Sequence, residues 1–210
     1  MKAVIIAGGR GERLKPITDK LPKGMVKVKS KPILEHILYL CKSHGIYEFI
    51  FSLCFLPEKI ISYFGDGSKF GVKIDYILEK ENMPLGTAGG IKEAQKYIKG
   101  AFIVAYGDIL RELNIRKMID NHRKNKVLAT IAVYKNISSD PKSKIVFDTN
   151  NCIKRFVERP KNSVYGQTVW SNASFYIFDP GIFNYIPKNK KTDFGKDIFP
   201  KLINSGEKVS

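Results

Sequence analysis

The sequence KAVIIAGGRGERLKP, from Lys2 to Pro16, is the most informative part of the chain. The apolar run from Ala3 to Ala7 predicts a buried strand, because short continuous apolar segments are typical of strands covered on both faces. Three glycines, Gly8, Gly9 and Gly11, come directly after it. Glycine has no Cβ, so backbone N–H groups in such a loop can approach a ligand closely. The stretch therefore predicts a strand that ends in a ligand-binding loop.

Positive charge lies just beyond the glycine loop. Arg13 and then Lys23 follow it, so that strand, loop and cations together indicate a polyphosphate site. The spacing excludes a Walker loop, which needs a Gly-Lys-Ser/Thr triplet. It also excludes a dinucleotide fingerprint, because Leu14 stands where the third glycine belongs. The glycine loop alone also fits a plain tight turn between a strand and a helix.

Length and composition limit the classes of protein to which this sequence can belong. A length of 210 residues suits one domain with a substantial core. The sequence has no apolar run near the roughly 18 residues of a membrane span, and its first residues do not resemble a signal peptide. The three cysteines, Cys41, Cys54 and Cys152, are widely spaced, which is typical of free thiols in a reducing compartment. We therefore expect a cytoplasmic protein with no membrane partner.

The net charge of +16 raises the question of a nucleic-acid partner. Basic residues are spread through every segment, and the densest run, residues 187–192, contains no aromatic side chain. This pattern favours a hydrated lysine-rich surface and no specific nucleic-acid partner, although an anionic substrate would gain from the field. The three histidines, His36, His44 and His122, share no metal-ligand spacing and are predicted to lie on helix surfaces.

Apolar segments alternate between strand and helix patterns as far as residue 134. The predicted strands are 3–7, 48–53, 72–78, 102–106 and 127–134, and the predicted helices are 33–41, 58–64, 87–97 and 115–124. Ser30 is predicted to cap the first helix and Gly45 to end it. The alternation predicts a mostly parallel sheet with helices on both faces and ligands at the carboxyl ends of the strands. Gly8 and Asp108 both lie at such ends, so they can converge in space.

The pattern changes after residue 136. Residues 144–148 and 153–158 have the pattern of a hairpin around the polar turn 149–151, and residues 171–178 have that of a further strand. We expect this part to form a small antiparallel lid over the parallel sheet.

The N-terminal stretch extends into the longer pattern G-G-x-G-x-R-L-x-P-x-T, which ends at Thr18 and is followed by Pro22-Lys23. This pattern resembles that of the sugar-1-phosphate nucleotidylyltransferases. Four further segments resemble motifs of that family in the expected order, namely residues 84–89 (PLGTAG), 106–108 (YGD), 157–160 (VERP) and 171–176 (SNASFY). The resemblance covers essentially the whole chain and implies an α/β, Rossmann-like three-layer nucleotidyltransferase fold. It also implies a single domain over 1–210, with a nucleotide-binding part over 1–135 and an antiparallel sugar-binding part over 136–210.

The resemblance implies transfer of a nucleoside monophosphate from a nucleoside triphosphate to a sugar-1-phosphate, with Mg²⁺ as cofactor. An NDP-sugar and pyrophosphate are the products. The second pKa of a phosphate monoester is about 6, so the attacking phosphate is already charged near neutral pH and needs no general base. The protein has to align two polyanions and neutralise their repulsion, which fits a site rich in Arg, Lys and backbone N–H groups.

Residue roles follow from the same resemblance. The expected catalytic residues are Arg13, Lys23 and Asp108, and Asp108 is also the expected Mg²⁺ ligand. The expected nucleotide-binding residues are Ala7, Gly8, Gly9, Gly11, Glu81, Gly86 and Thr87. The expected sugar-phosphate-binding residues are Gly107, Glu158, Arg159 and Asn172. Glu79 is an alternative to Glu81, and Asp108 taken alone also fits the cap of the next helix.

Several departures from the family pattern leave the sugar and the nucleobase unassigned. Arg159 and Ser174 stand where the family usually has Lys and Gly, and Lys142 and Ser143 replace an aromatic-Gly pair. The family's second metal-binding Asp lies in a W-x-D-x-G motif, which this sequence does not contain. We therefore expect the sugar-binding part to be C-terminally incomplete, either in a fragment or in a naturally short form.

Three functions stay open at this point. The first is a sugar-1-phosphate nucleotidylyltransferase, and the second is a weakly active or non-catalytic protein that binds nucleotides or nucleotide sugars. The third, a basic nucleic-acid-binding protein, rests only on the charge. Whether the chain forms a homo-oligomer is open as well.

Overall fold

The computed structural model describes residues 1–137, 142–160 and 169–210, which form ten β-strands and five α-helices. The strands are β1 Lys2–Ile6, β2 Lys27–Val28, β3 Lys31–Pro32, β4 Glu48–Leu53, β5 Lys73–Leu78, β6 Phe102–Tyr106, β7 Ala129–Asn136, β8 Ser143–Phe147, β9 Ile153–Glu158 and β10 Val169–Phe178. The α-helices are α1 Ile33–Ser43, α2 Pro57–Phe64, α3 Gly86–Gly89, α4 Ile115–Asn125 and α5 Phe199–Asn204. A π-helical turn, Phe194–Ile198, leads into α5.

Across the described residues, one eight-stranded sheet contains every strand except the short β2–β3 hairpin. Its order is β5-β4-β1-β6-β10-β8-β9, and β7 also pairs with β10. Strands β5, β4, β1 and β6 are parallel, whereas β10 runs antiparallel to β6. The predicted α/β sheet is confirmed, and the carboxyl ends of β1, β4 and β6 lie next to one another, where ligands of such sheets bind.

Alternation along β1 divides the core between the two faces of the sheet. Ala3 and Ile5 pack in a buried cluster with residues of α1, α2 and α4. Val4 points into a second cluster that includes residues of α3 and α5. Helices therefore cover both faces, and the predicted three-layer arrangement is confirmed.

The antiparallel part continues the main sheet and does not form a separate lid. β10 pairs with β6 over residues 175–178, with β7 on both sides of a bulge between Asn172 and Tyr176, and with β8 where Trp170 faces Ile145. This ten-residue strand is long enough to join the parallel half to the β8–β9 hairpin. The expected lid was wrong because strand pairing between distant segments leaves no local trace in the sequence.

The beginning of α1 differs from the prediction, and its end agrees with it. Ser30 does not cap the helix: Lys29 and Ser30 have φ values of 46° and 68° and form the two-residue turn of the β2–β3 hairpin. Pro32 takes the N-cap position instead. At the other end, Gly45 has φ 83° and Ile46 N–H donates to the Cys41 carbonyl at 3.1 Å, the usual glycine termination of a helix.

The predicted helix over 87–97 is interrupted. It is the short α3 followed by a 3₁₀ helix over Lys92–Tyr97. The N–H groups of Ala88 and Gly89 both donate to the Thr192 carbonyl, and a Cβ on Gly89 would lie 2.7 Å from the Lys190 carbonyl oxygen. This close approach to the 190–192 segment ends the helix after one turn.

One histidine prediction was wrong. His122 of α4 is only 3% exposed, and its Nδ1 lies 2.8 Å from the Thr130 hydroxyl of β7. His36 and His44 are partly exposed at α1, as expected. Within the described ranges, no helix combines the length and the apolar content that crossing a bilayer would need.

Candidate active site

A cleft opens at the carboxyl ends of β1, β4 and β6. Its lining consists of Gly8, Gly9, Arg10, Gly11, Glu12, Arg13, Leu14, Lys23, Cys54, Phe55, Glu81, Pro84 and Asp108. The cleft has a volume of about 470 Å³, which suits a small-molecule ligand. The fold thus brings together most of the predicted nucleotide-binding and catalytic residues, although they come from four distant segments of the chain.

The glycine loop is packed tightly against its neighbours. A Cβ on Gly8 would lie 2.9 Å from the Cβ of Cys54, and one on Gly11 would lie 3.0 Å from the Cβ of Lys23. Gly11 also has φ 66°, a conformation that favours glycine, and its carbonyl accepts a hydrogen bond from the Thr18 hydroxyl at 2.8 Å. Gly9, in contrast, is exposed and has no other atom near its Cβ position. The loop is therefore fixed from behind and open towards the cleft.

Lys23 and Asp108 form an ion pair inside the cleft. The Lys23 ammonium donates to Asp108 Oδ2 at 2.5 Å, and both side chains are partly buried. Two glycines allow this ion pair to form, because their backbones pack closely together. A Cβ on Gly24 would lie 2.7 Å from the carbonyl oxygen of Gly107. The close approach of these two backbones places Lys23 beside the end of β6.

The second oxygen of Asp108 is unmatched. Oδ1 is buried and has no hydrogen-bond partner among the described residues. A carboxylate oxygen of this kind is a ligand that Mg²⁺ prefers, so the residue fits the expected metal role. The described ranges hold no cluster of three or more His, Cys, Asp or Glu side chains that could bind an ion alone. The alternative cap role does not apply, because Asn114 caps α4 by accepting from Lys117 N–H at 2.9 Å.

Arg13 is exposed at the rim of the cleft and is free to meet a ligand. It forms no hydrogen bond or ion pair within the part of the chain that the structure describes. The neighbouring Arg10, which the sequence analysis did not select, donates to Glu81 at 2.7 Å and lies over the Phe55 ring at 5.4 Å. Its place inside the glycine loop was the signal that could have found it. Together these side chains form a polar rim around the glycine loop.

The structure shows different environments for Glu81 and for its alternative, Glu79. Glu79 accepts hydrogen bonds from the Ser52 hydroxyl and from Leu85 N–H, both at 3.1 Å, so it holds the loop before α3. Glu81 lines the cleft. Of the two, only Glu81 lies in the lining of the cleft, and its nucleotide contact stays a prediction.

Gly86, Thr87 and Ala7 lie next to the cleft rather than in its lining. The Thr87 hydroxyl donates to Asp193 at 2.7 Å and accepts from Phe194 N–H at 3.0 Å. Gly86 packs on the Thr192 carbonyl, and Ala7 is buried with its N–H donating to the Ser52 carbonyl at 2.9 Å. Their predicted nucleotide contacts stay predictions.

A second polar group lies where β9, β10 and the π-helical turn meet. Glu158 lies against Gly195, whose Cβ would be 2.5 Å from its carboxylate. Burial raises the pKa of Glu158, with a further increase from Asp193, while Arg159 and Lys196 oppose it. Asp193 caps the π-helical turn and binds Thr87, a connection that only the tertiary structure reveals. This group offers carboxylate acceptors of the kind that sugar hydroxyls need.

Asn172 and Arg159 border the same region. The Asn172 side chain accepts from Ser174 N–H at 2.8 Å and donates to the Tyr176 hydroxyl at 2.9 Å, which leaves one acceptor site and one N–H for a ligand. Ser174 has φ 53°, which explains why the family pattern places a glycine there. Arg159 is exposed and near Glu158. Gly107 directly precedes Asp108, and its N–H donates to the Ile6 carbonyl at 2.8 Å.

Comparison with known proteins identifies the family. Residues 2–210 match the family model described as nucleotidyl transferase. The chain belongs to the nucleotidyl transferase family. Its relatives confirm the resemblance to the sugar-1-phosphate nucleotidylyltransferases.

Two curated relatives show the range of that family. A UTP–glucose-1-phosphate uridylyltransferase of Synechocystis sp. is 36% identical over 98% of this chain and 56% of its own length. A mannose-1-phosphate guanylyltransferase of Mycobacterium tuberculosis is 30% identical over 98% of this chain and 56% of its own length. The chain therefore spans just over half the length of these relatives.

Solved structures agree with the fold. HddC from Yersinia pseudotuberculosis, complexed with GMP-PN, superposes with a TM-score of 0.79 at 31% identity, covering 95% of this chain and 85% of that one. A putative glucose-1-phosphate thymidylyltransferase from Bacillus anthracis, in complex with a sucrose, gives a TM-score of 0.84 at 23% identity, covering all of this chain and 85% of that one. The second likeness bears on the fold alone.

Proposed function

We propose that the protein transfers a nucleoside monophosphate from a nucleoside triphosphate to a sugar-1-phosphate, releasing pyrophosphate. The observation that carries this proposal is the meeting of the glycine loop, Lys23 and Asp108 in one cleft at the strand ends. The printed functions of the relatives, uridylyl transfer to glucose-1-phosphate and guanylyl transfer to mannose-1-phosphate, support it.

Each element of the cleft has a role in this reaction. The backbone of the glycine loop holds the triphosphate, and Arg13 at the rim binds the phosphates that leave. Lys23 supplies a point charge at the reacting phosphates. The sugar phosphate is already anionic, so the protein contributes alignment and charge neutralisation instead of a base. The cleft supplies groups of this kind, since its lining includes Arg10, Arg13, Lys23 and the glycine loop.

Mg²⁺ is the proposed cofactor, with Asp108 as its protein ligand. The unmatched Oδ1 of Asp108 is the structural support for this assignment. When bound, the ion would neutralise phosphate charge, and phosphates and water would complete its coordination. A cation at Asp108 would compete with Lys23 for the carboxylate, which leaves the Lys23 ammonium available to phosphate.

Two measurements test the proposal. Calorimetry with each common nucleoside triphosphate and Mg²⁺ should show binding of at least one of them, and Asp108→Asn should weaken it while the fold is retained. A pyrophosphate-release assay with a panel of hexose-1-phosphates should then identify the acceptor. A well-folded sample that binds none of the triphosphates would refute the proposal.

A second candidate function is a nucleotide or nucleotide-sugar binding protein with little turnover. The observation that favours it is the absence of a multi-carboxylate metal cluster in the described ranges. In that case calorimetry would show binding of the triphosphate with Mg²⁺, but the 210-residue chain would release pyrophosphate far more slowly than a chain that continues through a W-x-D-x-G motif. Equal rates of the two chains would exclude the second candidate.

A further inference from the structure

Arg111 is a half-buried cation near the cleft that none of the roles above uses. It lies in the loop between β6 and α4, three residues after Asp108. Its Nε atom is fully buried and has no hydrogen-bond partner among the described residues. None of the ion pairs formed within those residues includes its guanidinium group. One N–H of this guanidinium is thus removed from solvent without a hydrogen-bond partner among the described residues.

The charged and polar neighbours of Arg111 come from both parts of the site. Burial lowers its pKa, and Tyr176 and Asp108 lie close enough to oppose this effect. Tyr176 is the residue whose hydroxyl accepts from Asn172, on the expected sugar side. Asp108 is the expected metal ligand, on the nucleotide side. Arg111 therefore has electrostatic neighbours on both the expected sugar side and the expected nucleotide side.

A cavity of about 490 Å³ opens beside Arg111. Its walls are the loop 109–113, the β7 residues Val133 and Tyr134, and the bulge of β10 over 172–174, with Lys142 also contributing. Much of the lining is apolar, and its polar members include Glu112 and Asn172 beside Arg111. The cavity therefore connects Arg111 with a residue of the expected sugar site.

A buried guanidinium without a partner is unfavourable, because the lost hydration is not replaced. Arginine has a planar set of N–H donors that matches phosphate oxygens, which a lysine does not. In the proposed reaction the sugar-1-phosphate has to reach from the sugar side at Asn172 to the reacting centre at Asp108. Its phosphate group must therefore pass close to Arg111.

We propose that Arg111 binds the phosphate group of the sugar-1-phosphate acceptor. The proposal rests on the proposed function and adds a residue to it. Arg111 acts as a binding residue that both anchors the acceptor and selects the phosphorylated sugar over the free sugar. An acceptor phosphate would supply the anion that the protein itself does not provide.

Thermal stability distinguishes a binding role of Arg111 from a structural role. A structural arginine stabilises the fold, so its loss lowers the melting temperature. An arginine that binds a ligand has no anionic partner within the fold. Its replacement by a similarly long apolar side chain should therefore leave the melting temperature unchanged or raise it.

The test compares Arg111→Met and Arg111→Lys with the matched control Arg116→Met, which removes the same charge from an exposed position on α4. Calorimetry measures the affinity for α-glucose 1-phosphate, α-mannose 1-phosphate and the two free sugars, with a saturating non-hydrolysable triphosphate and Mg²⁺. We expect Arg111→Met to weaken binding of the sugar phosphates at least about tenfold, because charge-assisted bonds to phosphate are lost. Triphosphate affinity and melting temperature should not fall, Arg111→Lys should restore part of the loss, and Arg116→Met should resemble the wild type.

The outcomes also distinguish this proposal from the proposed function. Undiminished preference for the phosphorylated sugar in Arg111→Met would overturn the role of Arg111, even if pyrophosphate is released normally. A fall in melting temperature together with an equal loss of triphosphate binding would overturn it as well, since that pattern marks a structural residue. Arg111-dependent binding of a sugar phosphate without pyrophosphate release would support the role of Arg111 and refute the transferase function.

Discussion

At the scale of single residues, the site depends on glycines that carry no reactive group themselves. Gly24 and Gly107 touch backbone to backbone, and this contact places Lys23 beside Asp108. Gly107 also donates its N–H to the Ile6 carbonyl at 2.8 Å, which ties the loop after β6 to the end of β1. The Lys23–Asp108 ion pair in the cleft therefore depends on the absence of a Cβ at Gly24 and Gly107.

Gly24→Ala should disable the site without unfolding the protein. Its Cβ would lie 2.7 Å from both the Gly107 carbonyl oxygen and Leu34 Cγ, so the backbone next to Lys23 has to shift. Overpacking of this kind typically lowers stability by about 1–3 kcal/mol, and a misplaced charge weakens alignment of the phosphates. We expect kcat/KM for pyrophosphate release to fall at least about tenfold. Gly100→Ala is the control, because no atom lies within 4 Å of its Cβ position. Equal behaviour of the two variants would contradict this account.

Arg13→Ala should affect activity and leave stability unchanged. Arg13 is exposed at the cleft, so no packing is lost when it is truncated. We expect kcat/KM to fall at least about tenfold, which corresponds to about 1.4 kcal/mol of transition-state stabilisation. The measurement is steady-state pyrophosphate release, with thermal unfolding in parallel and Arg155→Ala on β9 as an exposed arginine control. Near-normal turnover would show that Arg13 does not contact the leaving phosphates.

At the scale of elements, local patterns predict most strands of both halves, but they do not predict how the antiparallel strands join the main sheet. The apolar run 102–106 is β6 residue for residue, and β4 and α1 also lie where periodicity and Gly45 predict. The failures have non-local causes: Thr192 interrupts the helix over 87–97, and the length of β10 merges the expected lid into the sheet.

The same limit applies to the site. The strand pattern was enough to predict that Gly8 and Asp108 converge, because each follows a strand and the two strands, β1 and β6, are parallel neighbours. The partners of Asp193 and the burial of Arg111 depend on packing between distant segments, which no local pattern records. The expected sugar contact of Asn172 has to use the remaining hydrogen-bonding groups of its amide, because the amide oxygen already accepts from the backbone of the bulge.

His122 makes the contact between α4 and β7 sensitive to pH. Burial lowers the pKa of His122, with a further decrease from Arg123, while Asp179 raises it. The folded protein therefore holds this proton less strongly than the unfolded chain, and the stability that His122 contributes above pH about 6.5 is lost as the pH falls through its folded pKa. We expect His122→Gln to reduce the difference in melting temperature between pH 7.5 and pH 5.5.

The control for this prediction is His36→Gln, which changes a partly exposed histidine of α1. Only the pH dependence is compared, because the substitution at the buried position can also change stability at every pH. If His122→Gln shows the same loss of melting temperature on acidification as the wild type, the burial of His122 does not control the acid sensitivity of the fold.

At the scale of the whole molecule, the dominant property is a net charge of +16. Within the cleft the formal charges balance, because Arg10, Arg13 and Lys23 stand against Glu12, Glu81 and Asp108, so the positive field comes from the rest of the molecule. A field of this sign raises the local concentration of anionic substrates and speeds their arrival, and the effect weakens as salt screens it. The charge is therefore consistent with a protein that binds phosphorylated small molecules.

The same charge should also give nucleic-acid binding of a purely electrostatic kind. Such binding comes from release of counterions, so its affinity falls by several orders of magnitude between about 50 and 200 mM salt and does not depend on sequence. We expect fluorescence anisotropy with two unrelated DNA duplexes to give equal affinities at low salt and no binding near physiological salt. Nucleoside triphosphate with Mg²⁺ should still bind at that higher salt, because the glycine loop and the Asp108 site are built around fixed groups. Tight, sequence-dependent DNA binding at 200 mM salt would instead make the basic surface a nucleic-acid site and reopen the third function.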